Sequence, residues 1–222
     1  MKVLLFNGSP NENGCTDAAL RHMSKVLTER NIQTEIFQIG RRVKGGCMGC
    51  GGCSDTGRCV IDDCVNEALD ILSGADGYIF ATPVHFASPS GDMIAFLDRL
   101  FYAGSSTMRY KPAAVAVIAR RGGCTSAFDA MLKYPTYNQM PVVSGDYWPI
   151  AHAHVDPEQL RCDEEGLFTL STLARNMAWM LRCIEAGKRA GIEPEYVEKN
   201  IWTNFILSLI HISEPTRRSY IS

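Results

Sequence analysis

Short aliphatic runs alternate along the chain with stretches whose apolar residues recur every three or four positions. Val3 to Phe6 is wholly apolar and is followed by Asn7-Gly8, the pattern of a buried parallel strand ending in a turn. From Thr16 to Arg30, Ala19, Leu20, Met23, Val26 and Leu27 recur at helical spacing, with Thr16 in the place of an N-cap. Ile32 to Ile39 alternates, Ile32, Thr34 and Ile36 against Gln33, Glu35 and Phe37, and predicts a second strand. A helix follows over Asp62 to Ser73, with Val65, Ala68, Leu69 and Leu72 on one face. Asp76 to Thr82 predicts a third strand closed by Pro83, and Ser90 to Phe101 a helix. Ala113 to Ala119 is nearly all aliphatic and predicts a fourth strand. A helix over Ser126 to Tyr134, a short strand near Val142-Val143 and a long helix over Leu167 to Ala190 complete the series.

Strands alternating with helices call for an α/β fold: a doubly wound, five-stranded parallel sheet with helices on both faces. In such sheets ligands sit beyond the carboxyl ends of the strands, where the strand order reverses. The polar, glycine-rich turns after the first, third and fourth strands are therefore the candidate site.

Composition narrows the classes. The chain has 222 residues, 46% hydrophobic and 21% charged, enough for a full core. Its net charge of -2 gives no reason to expect nucleic acid. No run approaches membrane-spanning length and the first residues lack a signal-peptide pattern, so a cytoplasmic protein with no membrane partner is expected. Nine cysteines in such a chain read as metal or redox ligands rather than as a disulfide framework. Leu207 to Ser222 breaks the preceding periodicity and resembles the translation of a sequencing-adapter read, so it is set aside as a non-native tail. The expected domain is then 1–206, with a cysteine-rich insertion at 45–64.

Within that insertion Cys47, Cys50, Cys53 and Cys59 are spaced C-x2-C-x2-C-x5-C among glycines. Thiolates two residues apart let a short loop wrap one metal centre, and glycines permit the positive φ angles of such a wrap. An iron–sulfur cluster, a structural zinc and a set of free thiols all fit the loop taken alone. Successive two-residue steps favour the cluster over zinc, whose usual arrangement is two separated pairs. Cys64, Cys124, Cys162 and Cys183 read as small apolar core residues.

Three turns carry the remaining chemistry. Gly8-Ser9-Pro10-Asn11-Glu12-Asn13-Gly14-Cys15-Thr16 leads into a helix N-terminus, a natural anion site, yet holds neither Lys nor Arg and matches no Walker or dinucleotide fingerprint. Thr82 to Gly91 sets His85 and Phe86 in a proline frame suited to flanking a flat ring, with Ser90 as cap of the next helix. Arg120-Arg121-Gly122-Gly123-Cys124 allows close backbone approach beside two cations. His152 and His154 read as loop or subunit-contact residues.

Gly8-Ser9-Pro10 with Asn13-Gly14-x-Thr16, then Thr82-Pro83-Val84-x-Phe86 with Ser90 and Phe96-Leu97-Asp98-Arg99, resembles the NADPH-dependent FMN reductase family of the flavodoxin-like superfamily. With Cys47, Cys50, Cys53 and Cys59 added, the chain resembles the iron–sulfur flavoproteins of that group. The segments Asp163-Glu164-Glu165-Gly166 and Asn176-Met177-Ala178-Trp179 are similar to it too, so the likeness runs from Met1 to about Ile206. The resemblance implies FMN, its phosphate on Ser9, Asn11, Asn13, Gly14, Cys15 and Thr16. Its ring would lie against Pro83, Val84, His85, Phe86 and Ala87, with Ser90 in the same set and Arg121, Gly122 and Gly123 on the other side. It further implies a [4Fe–4S] cluster on the four cysteines, NAD(P)H as co-substrate, a small-molecule or protein electron donor or acceptor, and a homodimer or homotetramer. Cys15 stands where the family usually has Asn, and His85 where Tyr is more usual.

Two functions of different class follow. One is an FMN-dependent NAD(P)H oxidoreductase; the other is an electron carrier reduced by ferredoxin without a nicotinamide site. A third reading is a redox-sensing or zinc-stapled binding module that uses the fold without turnover.

Overall fold

The computed structural model describes residues 1–197. Its main compact unit is Met1–Gly191; in the second unit, Ile192–Ser222, the described residues 192–197 carry no helix or strand. The proposed non-native tail, Leu207 to Ser222, lies outside the described residues. The elements are β1 (Lys2–Asn7), α1 (Cys15–Thr28), β2 (Gln33–Gln38), α2 (Cys53–Thr56), α3 (Cys64–Ile71), β3 (Gly77–His85), β4 (Ser88–Pro89), α4 (Gly91–Met108), β5 (Ala113–Ala119), α5 (Cys124–Tyr137), β6 (Ile150–His152) and α6 (Glu164–Arg189).

Five strands pair in parallel in the order β2-β1-β3-β5-β6, and the two-residue β4 folds back antiparallel on β3. Setting β4 aside, this is the flavodoxin-like order, whose switch point lies between β1 and β3. Side chains alternate across the sheet as strand geometry requires. Val3, Leu5, Ile79, Ala81, Ala114 and Ala116 meet α1 and α6 on one face. Leu4, Phe6, Phe80, Val115 and Val117 meet α3, α4 and α5 on the other. Both helical layers expected from the sequence are present.

Four expectations are corrected. The third strand is not closed by Pro83 but runs to His85. β1 has already ended opposite Ala81, so the missing proline N–H interrupts no ladder on that side. The fifth strand is Ile150–His152, paired with Val117 to Ala119, whereas Val142 makes only an isolated bridge to Ala113. Three residues are too few to show periodicity, and the preceding Tyr147-Trp148-Pro149 reads as a turn. Helix α1 is capped by Gly14, and Thr16 lies buried in its first turn. Cys64 and Cys124 are buried as expected, but Cys162 and Cys183 are exposed.

Candidate functional site

The turn between β1 and α1 is braced from every side. Asn7 Oδ1 accepts the Ser9 N–H at 3.0 Å, and Ser9 Oγ accepts the Asn11 N–H at 3.1 Å. Gln38 Nε2 donates to the Ser9 carbonyl at 2.6 Å, and buried Ser90 Oγ donates to the Gly8 carbonyl at 2.6 Å while capping the Met93 N–H. Gly40 closes the outer side: a Cβ there would lie 2.1 Å from Ser9 O and 2.6 Å from Pro10 Cα. Within this frame Asn11 and Asn13 are exposed and Ser9 and Thr16 buried, around the first turn of α1, whose N–H groups have no helical partner. Asn7 Nδ2 is buried with no hydrogen-bond partner, an unsatisfied donor at the base of the turn. A buried orphan donor beside free helix N–H groups suits an anionic group such as the phosphate of FMN. Cys15 does not add its side chain. Its thiol, pushed up in pKa by burial, donates to the His154 carbonyl at 3.2 Å.

The second turn is a tight hairpin. Val84 pairs with Pro89 and His85 with Ser88, leaving Phe86 and Ala87 as its two central residues, at φ 50° and 59°. Left-handed backbone at a non-glycine residue costs of order 1–3 kcal/mol and gathers at ligand clamps. Phe86 is fully exposed there.

The third turn touches the second. Gly123 sits at φ 88°, and a Cβ on it would lie 2.6 Å from Ala87 Cα and 3.1 Å from Val84 Cγ1. A flat ring needs contact distance on both faces, roughly 7 Å in all. Gly123 therefore adjoins the hairpin rather than facing it across a ring, while Arg121 and Gly122 are exposed and open to a ligand.

The third turn also lines a cavity of about 390 Å³, whose far side sequence reasoning missed: Arg121, Gly122 and Gly123 share it with Tyr147, Trp148, His152, Asp163 and Glu165 among others. Tyr147 and Trp148 meet edge to face with centroids 4.9 Å apart. Asp163 caps α6 through the Gly166 N–H, accepts the His152 N–H at 2.5 Å and lies 3.4 Å from His152 Nδ1. The sequence points to its Arg121–Gly123 side and to the Asp163–Gly166 stretch, but Tyr147 and Trp148, before Pro149, read as plain loop.

The four motif cysteines line one cavity of about 170 Å³, with Arg99 and Tyr102 in its wall. Glycines at 49, 51 and 57 take φ of 65°, 73° and 65° and turn the chain around it. Among the described residues, no three Cys, His, Asp or Glu side chains are drawn together into a metal-holding arrangement. The donor set itself, four free thiols opening on one space, fits a four-thiolate centre. Beneath it the side chains of Arg99 and Asp63 form an ion pair, each 1% exposed. Burial alone would raise the Asp63 pKa, but hydrogen bonds from Arg99 and from the Lys44 and Val65 N–H groups outweigh it and hold the carboxyl below its ordinary value.

A model of the NADPH-dependent FMN reductase family matches residues 1–155. The chain belongs to that family. As a member it is a flavin-dependent oxidoreductase. An iron–sulfur flavoprotein of Methanocaldococcus jannaschii is 31% identical over 193 residues, covering 83% of this chain and 100% of the relative. Another iron–sulfur flavoprotein, from Methanosarcina thermophila, is 26% identical over 192 residues, covering 85% and 99%. The crystal structure of a flavodoxin, WrbA-like protein from Agrobacterium tumefaciens superposes with a TM-score of 0.57 at 15% identity, over 82% of this chain and 97% of that one, a likeness of fold. No helix among the described residues is long and apolar enough to cross a membrane.

The cysteines of this family member separate by environment, and alkylation will show it. Burial pushes the Cys64 thiol up to about 11, and Cys124 is raised by the same cause. With iodoacetamide at about pH 8, close to the ordinary cysteine pKa, exposed Cys162 and Cys183 are expected to label in the native chain. Cys64 and Cys124 are expected to label only after unfolding. Peptide mass spectrometry reads the outcome, and native labelling of Cys64 would contradict the burial argument.

Proposed function

We propose that this flavin-dependent oxidoreductase takes reducing equivalents from NAD(P)H on FMN and passes electrons onward through a [4Fe–4S] cluster held by Cys47, Cys50, Cys53 and Cys59. The observation that carries the reading is that all four motif cysteines line one cavity in a chain whose FMN-family turns are independently braced. FMN, when bound, supplies a ring that accepts a hydride and releases electrons one at a time.

The chain supplies the rest. Ser9, Asn11, Asn13, Gly14, Cys15 and Thr16 frame the phosphate, the last residues with backbone N–H groups of α1. Pro83, Val84, His85, Phe86 and Ala87 give the ring its wall, and Ser90 holds that wall to the phosphate turn through Gly8. Arg121 brings a cation and Gly122 a close backbone approach; Gly123 seats this turn against the hairpin. The cysteines provide soft thiolate ligands.

The test is anaerobic purification with FMN, iron and zinc assayed on one sample, followed by addition of NADH or NADPH. Flavin bands, about four irons per chain and bleaching by a nicotinamide are expected. Zinc in place of iron would overturn the cluster. Bleaching by reduced ferredoxin but by neither nicotinamide would overturn the donor and make the chain a carrier.

A further inference from the structure

The four cysteines are not equivalent. Cys47 and Cys50 are exposed, while Cys59 is half-buried and its sulfur accepts a hydrogen bond from Arg99 Nε at 3.1 Å. Asn66 clamps the Cys59 backbone, its Oδ1 accepting the N–H at 2.9 Å and its Nδ2 donating to the carbonyl at 3.0 Å. The Arg99 side that meets the sulfur is one edge of a fully engaged fork. A guanidinium carries five N–H donors. Nη1 donates to Gly45 O at 3.2 Å and Asp63 Oδ2 at 2.7 Å, and Nη2 to Ile61 O at 2.6 Å and Asp63 Oδ1 at 2.8 Å. With Nε on Cys59, every donor has a partner. Gly45 and Ile61 lie on either side of the cysteine run, so one side chain of α4 ties both ends of the loop and one of its sulfurs.

We propose that Arg99 is the positioning residue of the cysteine centre: it closes the loop at Gly45 and Ile61 and sets, through its Nε–H on Cys59, the potential of the cluster. The proposal rests on the cluster reading above. Hydrogen bonds to ligand sulfurs and nearby charge are the protein's principal controls on cluster potential, and a buried cation acts more strongly than an exposed one. Arg99 stabilises the reduced, more negative cluster; Asp63, which holds the fork but does not touch the sulfur, opposes it. A staple without electronic effect would alter how well the loop holds its centre and leave the potential alone.

The experiment compares Arg99→Gln, Arg99→Lys and Asp63→Asn with the wild type by urea unfolding, iron content and the midpoint potential from an anaerobic titration followed by electron paramagnetic resonance. All three variants are expected to be less stable. The potentials are expected to part: lower in Arg99→Gln, which loses the cation and the N–H to sulfur, and higher in Asp63→Asn, which keeps Arg99 and loses the opposing anion. Arg99→Lys falls between Arg99→Gln and the wild type. Shifts of the same sign in Arg99→Gln and Asp63→Asn, or unchanged potentials, would overturn the proposal. If Arg99→Gln does not retain a cluster, Arg99→Lys and Asp63→Asn must still lie on opposite sides of the wild type. If the wild type holds no iron, the cluster reading fails, and the same variants loaded with cobalt(II) decide on Arg99. The sulfur-to-cobalt charge-transfer band is expected at lower energy in Arg99→Gln and higher in Asp63→Asn, and a fixed band, or no cobalt binding by the wild type, overturns the role.

Discussion

Asp63→Ala is expected to destabilise the chain by about 3–5 kcal/mol, the cost of leaving one partner of a buried ion pair without the other. The guanidinium of Arg99 would remain under the cysteine loop with two of its hydrogen bonds gone. It could not be relieved by losing its proton, because arginine stays charged in proteins. Asp63 also accepts the Lys44 N–H at 2.9 Å and caps α3 through the Val65 N–H at 3.0 Å, so the loss reaches the loop entry and a helix start together. Domains hold roughly 5–15 kcal/mol in total, so a drop of that size moves the urea midpoint far. The exposed pair Arg58–Asp70 is the control, since removing it should cost no more than about 1 kcal/mol. Equal effects would show that the Asp63 pair is not desolvated. The pH dependence has a defined sign. A folded carboxyl held below its ordinary value gives stability that is complete above the unfolded pKa and is lost as the pH falls through the depressed one. The stability gap between the wild type and Asp63→Ala should therefore be full near neutral pH and shrink as the pH falls below about 4, the ordinary carboxyl range.

Gly40→Ala is expected to weaken FMN binding roughly tenfold to a hundredfold, equivalent to about 1–3 kcal/mol of strain at an overpacked site. The added carbon would meet Ser9 O at 2.1 Å and Ser9 C at 2.5 Å. Both are backbone atoms, held by Gln38, Asn7 and Ser90, so the turn cannot step aside without giving up those bonds. Flavin fluorescence titration of the apoprotein measures the effect. Gly74→Ala is the comparison, because a Cβ there meets nothing within 4 Å and the residue lies outside the three turns. Unchanged affinity in Gly40→Ala would mean that the observed brace does not hold the turn in its binding shape.

These two positions mark where sequence reasoning stops. Aliphatic runs at 3–6 and 113–119 announce buried strands because nothing else explains them, and the turns after them announce ligands because their glycines and small polar residues are poor core material. Arg99 stands out in the sequence only as the end of the family-like stretch Phe96-Leu97-Asp98-Arg99, which gives it no role. In a helix with Met93, Phe96, Leu97 and Leu100 buried, only the tertiary meeting with Asp63 makes its burial tolerable. Gly40 reads as an ordinary turn residue after Ile39; its need for a missing Cβ comes from Ser9, thirty-one positions earlier in the chain. The cavity at Tyr147 and His152 was hidden for a related reason, since β6 is too short to be seen and its neighbours arrive from α5 and α6.

Helix α4 joins features otherwise treated separately. Ser90, at its N-cap, braces the turn between β1 and α1, and Arg99 fastens the cysteine loop nine residues on. At 1.5 Å of rise per residue this is roughly 13 Å of continuous helix. On the proposed function, the interval between flavin and cluster is thus written into the length of one rigid rod rather than into the packing of two loops. Such a ruler is adjustable. Seven extra residues between Ser90 and Arg99 would add nearly two full turns, about 10 Å, and return the guanidinium close to its original bearing. With FMN and a cluster at its two ends as proposed, separation, and with it the ease of electron passage, becomes a quantity that can be edited while the chemistry at either end is left as it is.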